Sequence, residues 1–365
     1  MDITNNSSLL FSQTNISNIN FKNHLFCSAT WRNLASNENL ITEDYIEEYR
    51  KLAYGGTGLI FSGGMLVSDN KTLNGFIGIY KDSFVEDFKP FVKMIHSYST
   101  NIVAQLACIS GIFRNCNIVG KDVYGAGEIA YTMDDEVNIM TKDDISSLVK
   151  AYKDAAVTAR RAGFDGVQIH SAHAYVQSSF LSSVYNKRTD EYGGSIENRA
   201  RLLFEIVNSV RAATEKHFPI FVKINCSDFL DNGFTVDECI YVCEKLAELG
   251  VCMVELSGGN KENKDESWYR VKITNKNDES YFRNEAKKIA EKIDIPVILV
   301  GGNRSIDVMN QIAEESKVKF FSLSRPLLRE PDLINKWSNN PNIKPKCISC
   351  NRCWANEGNL CVFNR

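Results

Sequence analysis

The sequence predicts a TIM (β/α)8 barrel, a single-sheet member of the α/β class. Two observations carry that expectation. Short β-branched runs ending in Gly, Ser or Asn alternate eight times with longer segments of helical period. The runs are nearly continuous in apolar residues, the pattern of parallel strands covered by helices. The length of 365 residues accommodates one such barrel with extensions.

In chain order, the spacing predicts strands at 25–29, 58–62, 102–106 and 166–170. The helices predicted to follow them are 43–54, 84–98, 142–162 and 196–216. The second half repeats the unit, with strands predicted at 221–225, 251–257, 297–301 and 320–324. Its helices are predicted at 236–249, 281–293, 305–315 and 327–337. Residues 1–19, rich in Asn and Ser, are expected to form an N-terminal arm, and residues 20–340 the barrel. The turn-rich run Ser338-Asn339-Asn340-Pro341-Asn342 marks the break before a Cys-rich tail at 341–365. The polar segment Lys261–Ser280 follows the sixth strand, where insertions commonly cover the active face. Lys187–Arg201 is expected to be structural, with Ser195 capping the fourth helix and its charges at the surface.

Composition narrows the class of function. The 42 Lys and Arg against 45 Asp and Glu give a net charge of −3, which supplies no basic footprint for nucleic acid. A small-molecule partner is expected instead, and a homo-oligomer is compatible with the sequence. The apolar runs, such as Ile295 to Val300, fall short of the roughly 20 residues of a membrane span. The N-terminal residues lack the pattern of a secretory signal, so a cytoplasmic protein is expected. The odd total of 11 Cys argues against a disulfide framework. Seven of them (Cys27, Cys108, Cys116, Cys226, Cys239, Cys243 and Cys252) stand singly, mostly in apolar segments where a buried thiol is ordinary.

Catalytic groups of such barrels sit where strands end. The strand ends here offer Ala29-Thr30-Trp31, Gly63-Gly64, Gln105, His170 with His173 and Tyr175, Lys223, Ser257-Gly258-Gly259, Gly301-Gly302-Asn303 and Ser324-Arg325. A lone His is more often a satisfied structural group, but two imidazoles and a phenol at one mouth favour function. A metal site is a weaker alternative, because no nearby Asp, Glu or Cys completes a ligand set. Two imidazole N–H donors can hold a carbonyl oxygen and stabilise charge developing on it, with Tyr175 as proton donor. The Gly-rich turns after strands seven and eight suit a phosphate, with Arg325 as a charged fork.

The run from His170-Ser-Ala-His-Ala-Tyr175 through Asn186-Lys-Arg-Thr-Asp-Glu-Tyr-Gly-Gly-Ser-Ile-Glu-Asn-Arg-Ala-Arg201 resembles the signature of the old yellow enzyme family of FMN-dependent oxidoreductases. Supporting matches are Lys22-Asn23, Gly58-Leu59-Ile60, Gln105-Leu106, Asp228-Phe229 and the two phosphate loops, in consistent order over about residues 20–340. The resemblance implies that Gln105 and Lys223 meet the flavin pyrimidine and that Ala29, Thr30 and Gly64 border the ring. Gly302, Asn303, Ser324 and Arg325 would hold the phosphate. His170 and His173 would grip the oxygen of an α,β-unsaturated carbonyl compound, Trp31 would narrow the pocket, and Tyr175 would protonate the product carbon. NADH or NADPH would be the reductant, and flavin N5 the hydride donor to the C=C bond.

The chain departs from the family at three places. Lys223 replaces the more frequent Arg, keeping charge but losing the planar fork. Ser28-Ala29-Thr30-Trp31 stands where many members have Pro followed two residues on by Thr or Cys, and Ala107-Cys108-Ile109-Ser110-Gly111 replaces a His-Ala-Gly-Arg run.

Cys347, Cys350, Cys353 and Cys361 have a spacing suited to a [4Fe–4S] cluster, with zinc or a metal-free packed tail as alternatives. Larger relatives, the multidomain dienoyl-CoA reductase and trimethylamine dehydrogenase group, carry such a tail and continue into a nucleotide-binding region, whereas this sequence ends at Arg365. The leading expectation is an ene-reductase. Its competitors are an iron–sulfur flavoprotein that feeds electrons to a partner and a sugar-phosphate isomerase or lyase.

Overall fold

The computed structural model describes residues 8–69, 75–109, 124–125, 138–260, 263, 265–355 and 359–364. Cys116 and the Ser110-Gly111 departure lie outside the described residues. Eight parallel strands close into a barrel: β1 (Leu25–Cys27), β2 (Leu59–Phe61), β3 (Asn101–Ala107), β4 (Gly166–Ser171), β5 (Ile220–Asn225), β6 (Met253–Ser257), β7 (Val297–Val300) and β8 (Phe320–Leu323). Neighbours pair in order around the ring, and β8 returns to β1 with Phe321 opposite Leu25. The expected TIM barrel is therefore the observed fold.

Its outer ring holds α1 (Glu43–Tyr54), α2 (Phe84–His96), α3 (Lys142–Ala162), α4 (Arg201–Ala213), α5 (Val236–Glu248), α6 (Arg283–Lys292), α7 (Ile306–Glu315) and α8 (Leu333–Asn339). Local chemistry sets several ends. Thr141 and Thr235 each form a reciprocal capping box, with Asp144 and Glu238, at the starts of α3 and α5. Gly163, at φ 92°, stops α3 in a left-handed cap.

Two predicted helices are broken in the structure. The segment expected at 196–216 divides at Ala200 into Ile196–Arg199 and α4. The segment expected at 327–337 divides into Arg325–Arg329 and α8, because Pro331 has no N–H and disfavours helical Glu330 before it. Ser195 occupies an N-cap position, but its hydroxyl makes no capping bond to the backbone. Nor are all the charges of 187–201 at the surface. Arg199 is buried, donating to the carbonyls of Leu181 and Gly194 and to Glu238, so it ties the loop after β4 to α5.

The arm is folded against the barrel from Leu9 onward. A hairpin of Thr14–Ile16 and Ile19–Phe21 crosses the boundary expected at residue 20, and its Ile19 and Phe21 join the apolar plug inside the barrel floor with Phe26, Phe221, Met253 and Phe320. Burial of such side chains contributes roughly 1.5–3 kcal/mol each. Toward the other end, the inward positions become polar, because every second residue of β3 to β6 points inward: Gln105, Gln168 and His170, Lys223 and Asn225, Glu255 and Ser257. The outward alternates, such as Ile169, Val222 and Leu256, pack under the helices. A plugged floor and a polar upper layer place the site at the C-terminal mouth. Among the described residues, no helix is long and apolar enough to cross a membrane.

Candidate active site

A cavity of about 440 Å³ opens at this mouth. All the residues singled out for flavin and substrate line it: Ala29, Thr30, Trp31, Gly64, Gln105, His170, His173, Tyr175, Lys223, Gly302, Asn303, Ser324 and Arg325. They come from seven strand ends, so only closure of the barrel brings them together.

His170 is the penultimate residue of β4, and the loop after it turns back through His173 and Ala174, both left-handed at φ 64° and 61°. Two consecutive non-Gly residues in that region cost on the order of 1–3 kcal/mol each and persist only when their surroundings hold them. The surroundings are specific. Asp228 accepts from the Asn225 amide at 3.0 Å, and Asn225 Oδ1 accepts from the His173 backbone N–H at 3.1 Å. His173 Nε2 lies 2.7 Å from Ser257 Oγ, and its ring stacks on Trp268 at 4.6 Å. The His170 ring stands edge-on to His173 at 5.4 Å and to Tyr175 at 4.8 Å.

Electrostatics settle the protonation of both imidazoles. Burial, then the charge of Lys223, lowers the His170 pKa to about 3. The same two causes, followed by His170 itself, hold His173 well below its ordinary value. Both rings are neutral at neutral pH, so each offers one N–H. His170 Nδ1 is buried with no hydrogen-bond partner among the described residues.

These shifts link to stability. The unfolded chain binds protons at His near pH 6.5, whereas the folded chain resists them until far lower pH. Stability is therefore complete above the unfolded value and falls as pH drops from about 6.5 toward 3, by up to about 1.4 kcal/mol per pH unit for each group. Urea titrations from pH 7 to 4 should show wild type losing stability more steeply than His170→Ala; parallel curves would contradict this.

The cavity floor carries a hydrogen-bonded polar layer. Lys223 Nζ donates to Ser28 Oγ at 2.8 Å and lies 3.3 Å from Glu255. Gln105 Nε2 donates to Gln168 Oε1 at 2.7 Å. Behind them, Gln168 and Glu255 went unnoticed in the sequence, although a carboxylate inside a run predicted as buried strand is itself a signal.

Over the strand-seven and strand-eight loops, Gly301 and Gly302 have φ of 115° and 74°, and a Cβ on either would meet the Tyr281 ring at 2.7 Å. Only glycine permits this cradle. With the Ser324 hydroxyl and the Arg325 guanidinium on the same cavity wall, its donors fit an anionic phosphate, and the whole arrangement fits FMN. Asn303 has a different part from the one expected of its side chain. The amide donates to the carbonyls of Leu299 and Ser322 and accepts from Ser280, so it shapes the loop and leaves only backbone to a ligand.

The insertion and the tail complete the mouth. Trp268 and Tyr269 of the insertion line the cavity, as do Ser349, Asn351, Cys353 and Asn359 of the tail. Arg304 donates to Ser349 Oγ at 2.8 Å and to the Cys347 carbonyl; Arg325 donates to the Arg270 carbonyl at 2.8 Å and to Asn351. Asn351 in turn donates to the Tyr269 carbonyl at 2.6 Å. Arg304 and Arg325 thus hold the insertion and the tail together. Cys347, Cys350, Cys353 and Cys361 all border one small adjoining cavity of about 20 Å³. Among the described residues, no three His, Cys, Asp or Glu side chains are grouped to hold a metal ion.

Comparison with known proteins agrees with this geometry. Residues 9–343 match the model of the NADH:flavin oxidoreductase / NADH oxidase family. A metal reductase of Desulforamulus reducens is 29% identical over 350 residues, covering 94% of this chain and 51% of that protein. The chain thus spans about half the length of that curated relative. An NADPH dehydrogenase of Bacillus pumilus is 30% identical over 325 residues, 88% of this chain and 92% of that protein. The old yellow enzyme homologue of Zymomonas mobilis superposes with a TM-score of 0.76 at 23% identity, over 93% of this chain and 98% of that one, a likeness of fold.

Proposed function

The chain belongs to the NADH:flavin oxidoreductase / NADH oxidase family, and from that premise we propose that it is an FMN-dependent ene-reductase of old yellow enzyme type. NADH or NADPH would be the electron source, and the substrate would be an α,β-unsaturated carbonyl compound. The observation that carries this reading is the convergence of two buried neutral imidazoles and the Tyr175 phenol over a floor of Gln105 and Lys223.

Bound FMN supplies the two-electron chemistry, accepting hydride from the nicotinamide and giving it to the electron-poor alkene carbon. The chain's own residues do the rest. Gly301, Gly302, Ser324 and Arg325 would anchor the phosphate, while Gln105 and Lys223 would face the pyrimidine and Ala29, Thr30 and Gly64 the ring. His170 and His173 donate to the carbonyl oxygen of the substrate and stabilise the negative charge that develops there. Because both are neutral, they stabilise that charge as hydrogen-bond donors without transferring a proton to it. Tyr175 then delivers a proton to the α-carbon. Trp31, stacked on Phe76 at 4.4 Å, and Trp268 wall the pocket with flat apolar surface, which suits a planar conjugated substrate.

An absorption spectrum of anaerobically purified protein, followed by turnover of a simple cyclic enone with NADPH or NADH, tests the reading. Flavin bands that bleach with the nicotinamide and return with the enone are expected; a colourless protein that takes up no added FMN would refute it.

One observation supports a second reading. All four tail cysteines border the same small cavity, which shares Arg325, Asn351 and Cys353 with the large one. A tail that held an iron–sulfur cluster there would pass single electrons between flavin and a partner protein. About four irons per chain in the same sample, as a [4Fe–4S] cluster requires, would favour it; flavin without iron would favour the simple ene-reductase.

A further inference from the structure

Glu255 touches no part of the large cavity, is fully buried inside the barrel, and uses both carboxylate oxygens. Oε1 accepts from Ser322 Oγ at 2.5 Å. Oε2 accepts from Gln168 Nε2 at 3.0 Å and pairs with Lys223 Nζ at 3.3 Å. A charged carboxylate in the barrel interior is costly unless paired and hydrogen-bonded. These partners meet that need, and they are also the supports of the two residues that face the pyrimidine end of the site.

The direction of the network follows from donor chemistry. An ionised carboxylate only accepts, so Gln168 must turn its NH2 to Glu255 and its carbonyl to Gln105. Gln105 must then spend its NH2 on Gln168, as the 2.7 Å contact shows. Its Oε1 is left beside Gly64 on the cavity wall, where a Cβ would lie 3.6 Å from it. The carboxylate thereby fixes an acceptor, rather than a donor, at that point of the cavity. Through Lys223 it also sets the charge, since the ammonium at the floor stands beside its own counter-ion.

Resting on the flavin reading above, we infer that Glu255 is a positioning residue that sets both the hydrogen-bond polarity of Gln105 and the effective charge of Lys223 toward the flavin pyrimidine. A flavin gains negative charge in that ring on reduction, so a carboxylate behind Lys223 opposes reduction and its loss favours it. With Gln at 255 the charge is lost but the relay keeps its direction, because an NH2 in place of Oε2 would face the Lys223 ammonium. With Leu at 255 the acceptor is lost as well, Gln168 is free to turn, and Gln105 can present NH2 to a pyrimidine N–H, with the loss of one hydrogen bond.

The test compares FMN-loaded wild type, Glu255→Gln and Glu255→Leu by anaerobic equilibration with a reference dye and by titration of the stripped proteins with FMN. The expected result is a higher midpoint potential in both variants, and FMN binding weaker by roughly tenfold, the size of one hydrogen bond, in Glu255→Leu. A folded Glu255→Gln chain with unchanged potential, or a folded Glu255→Leu chain with unchanged FMN affinity, would overturn the inference. If Glu255→Gln does not fold, Glu255→Asp keeps the charge but withdraws it from Lys223 and Gln168, and should raise the potential by a smaller step. No step in that variant is likewise negative. Wild type that binds no FMN would fail the flavin reading itself and this inference with it, whereas bound FMN with an unmoved potential fails the inference alone.

Discussion

Phenylalanine at position 175 is expected to slow reduction of the alkene by about 10²–10⁴-fold, the usual worth of a positioned general acid, while reduction of the flavin by NADPH or NADH keeps its rate. The phenol stands at the start of the short helix Val176–Leu181, its ring 4.8 Å from that of His170, on the wall of the large cavity. In the proposed mechanism it would reach the substrate carbon that needs a proton, while hydride transfer from the nicotinamide to the flavin would ask nothing of it. Stopped-flow measurement of the two half-reactions separates these steps. An equal loss in both would show that Tyr175 shapes the pocket and donates no proton.

The double variant His170→Ala with His173→Ala should lose the anchor for the substrate oxygen. Removing one preorganised donor of this kind costs about 10²–10³-fold in the chemical step, and the proposed mechanism has both donors acting on the same atom. Phenolic ligands, whose oxygen would take the place proposed for the substrate carbonyl, should bind far more weakly. FMN should stay bound, because the Gly301-Gly302 turn, Ser324, Arg325, Gln105 and Lys223 would still line the cavity. Loss of FMN from the folded double variant would remove the two histidines from the substrate side of the site. The pH dependence adds a control. Since burial keeps both imidazoles neutral, ligand binding in wild type should show no titration near pH 6.5, the ordinary His value.

Much of this site was legible in the sequence, and for a local reason. His170, His173 and Tyr175 lie within six residues, so a single βα loop carries them together wherever the strand ends. The phosphate cradle was legible because Gly301-Gly302 and Ser324-Arg325 directly follow predicted strands. Glu255 was hidden in a run read as an apolar strand, since its partners Lys223, Gln168 and Ser322 are remote in the chain. Inward and outward positions of β6 are told apart only by which alternate residue meets the barrel axis. Trp268 belonged to an insertion expected to cover the site, but the sequence did not show which of its side chains would stack on His173.

What the sequence determined by itself was the succession of eight strand–helix units, the buried character of the strands and the chemical types at their C-terminal ends. Period and apolarity act between neighbours in the chain, and that is enough to fix which face of a helix is buried and where a strand stops. Tertiary structure decided what distant segments do to one another. It closed β8 onto β1 and drew the tail over the mouth through Arg304 and Arg325. It also set a buried carboxylate against Lys223. Those outcomes depend on distances between side chains far apart in sequence, which follow from closure of the sheet and from the cost of leaving a buried charge or donor unpaired.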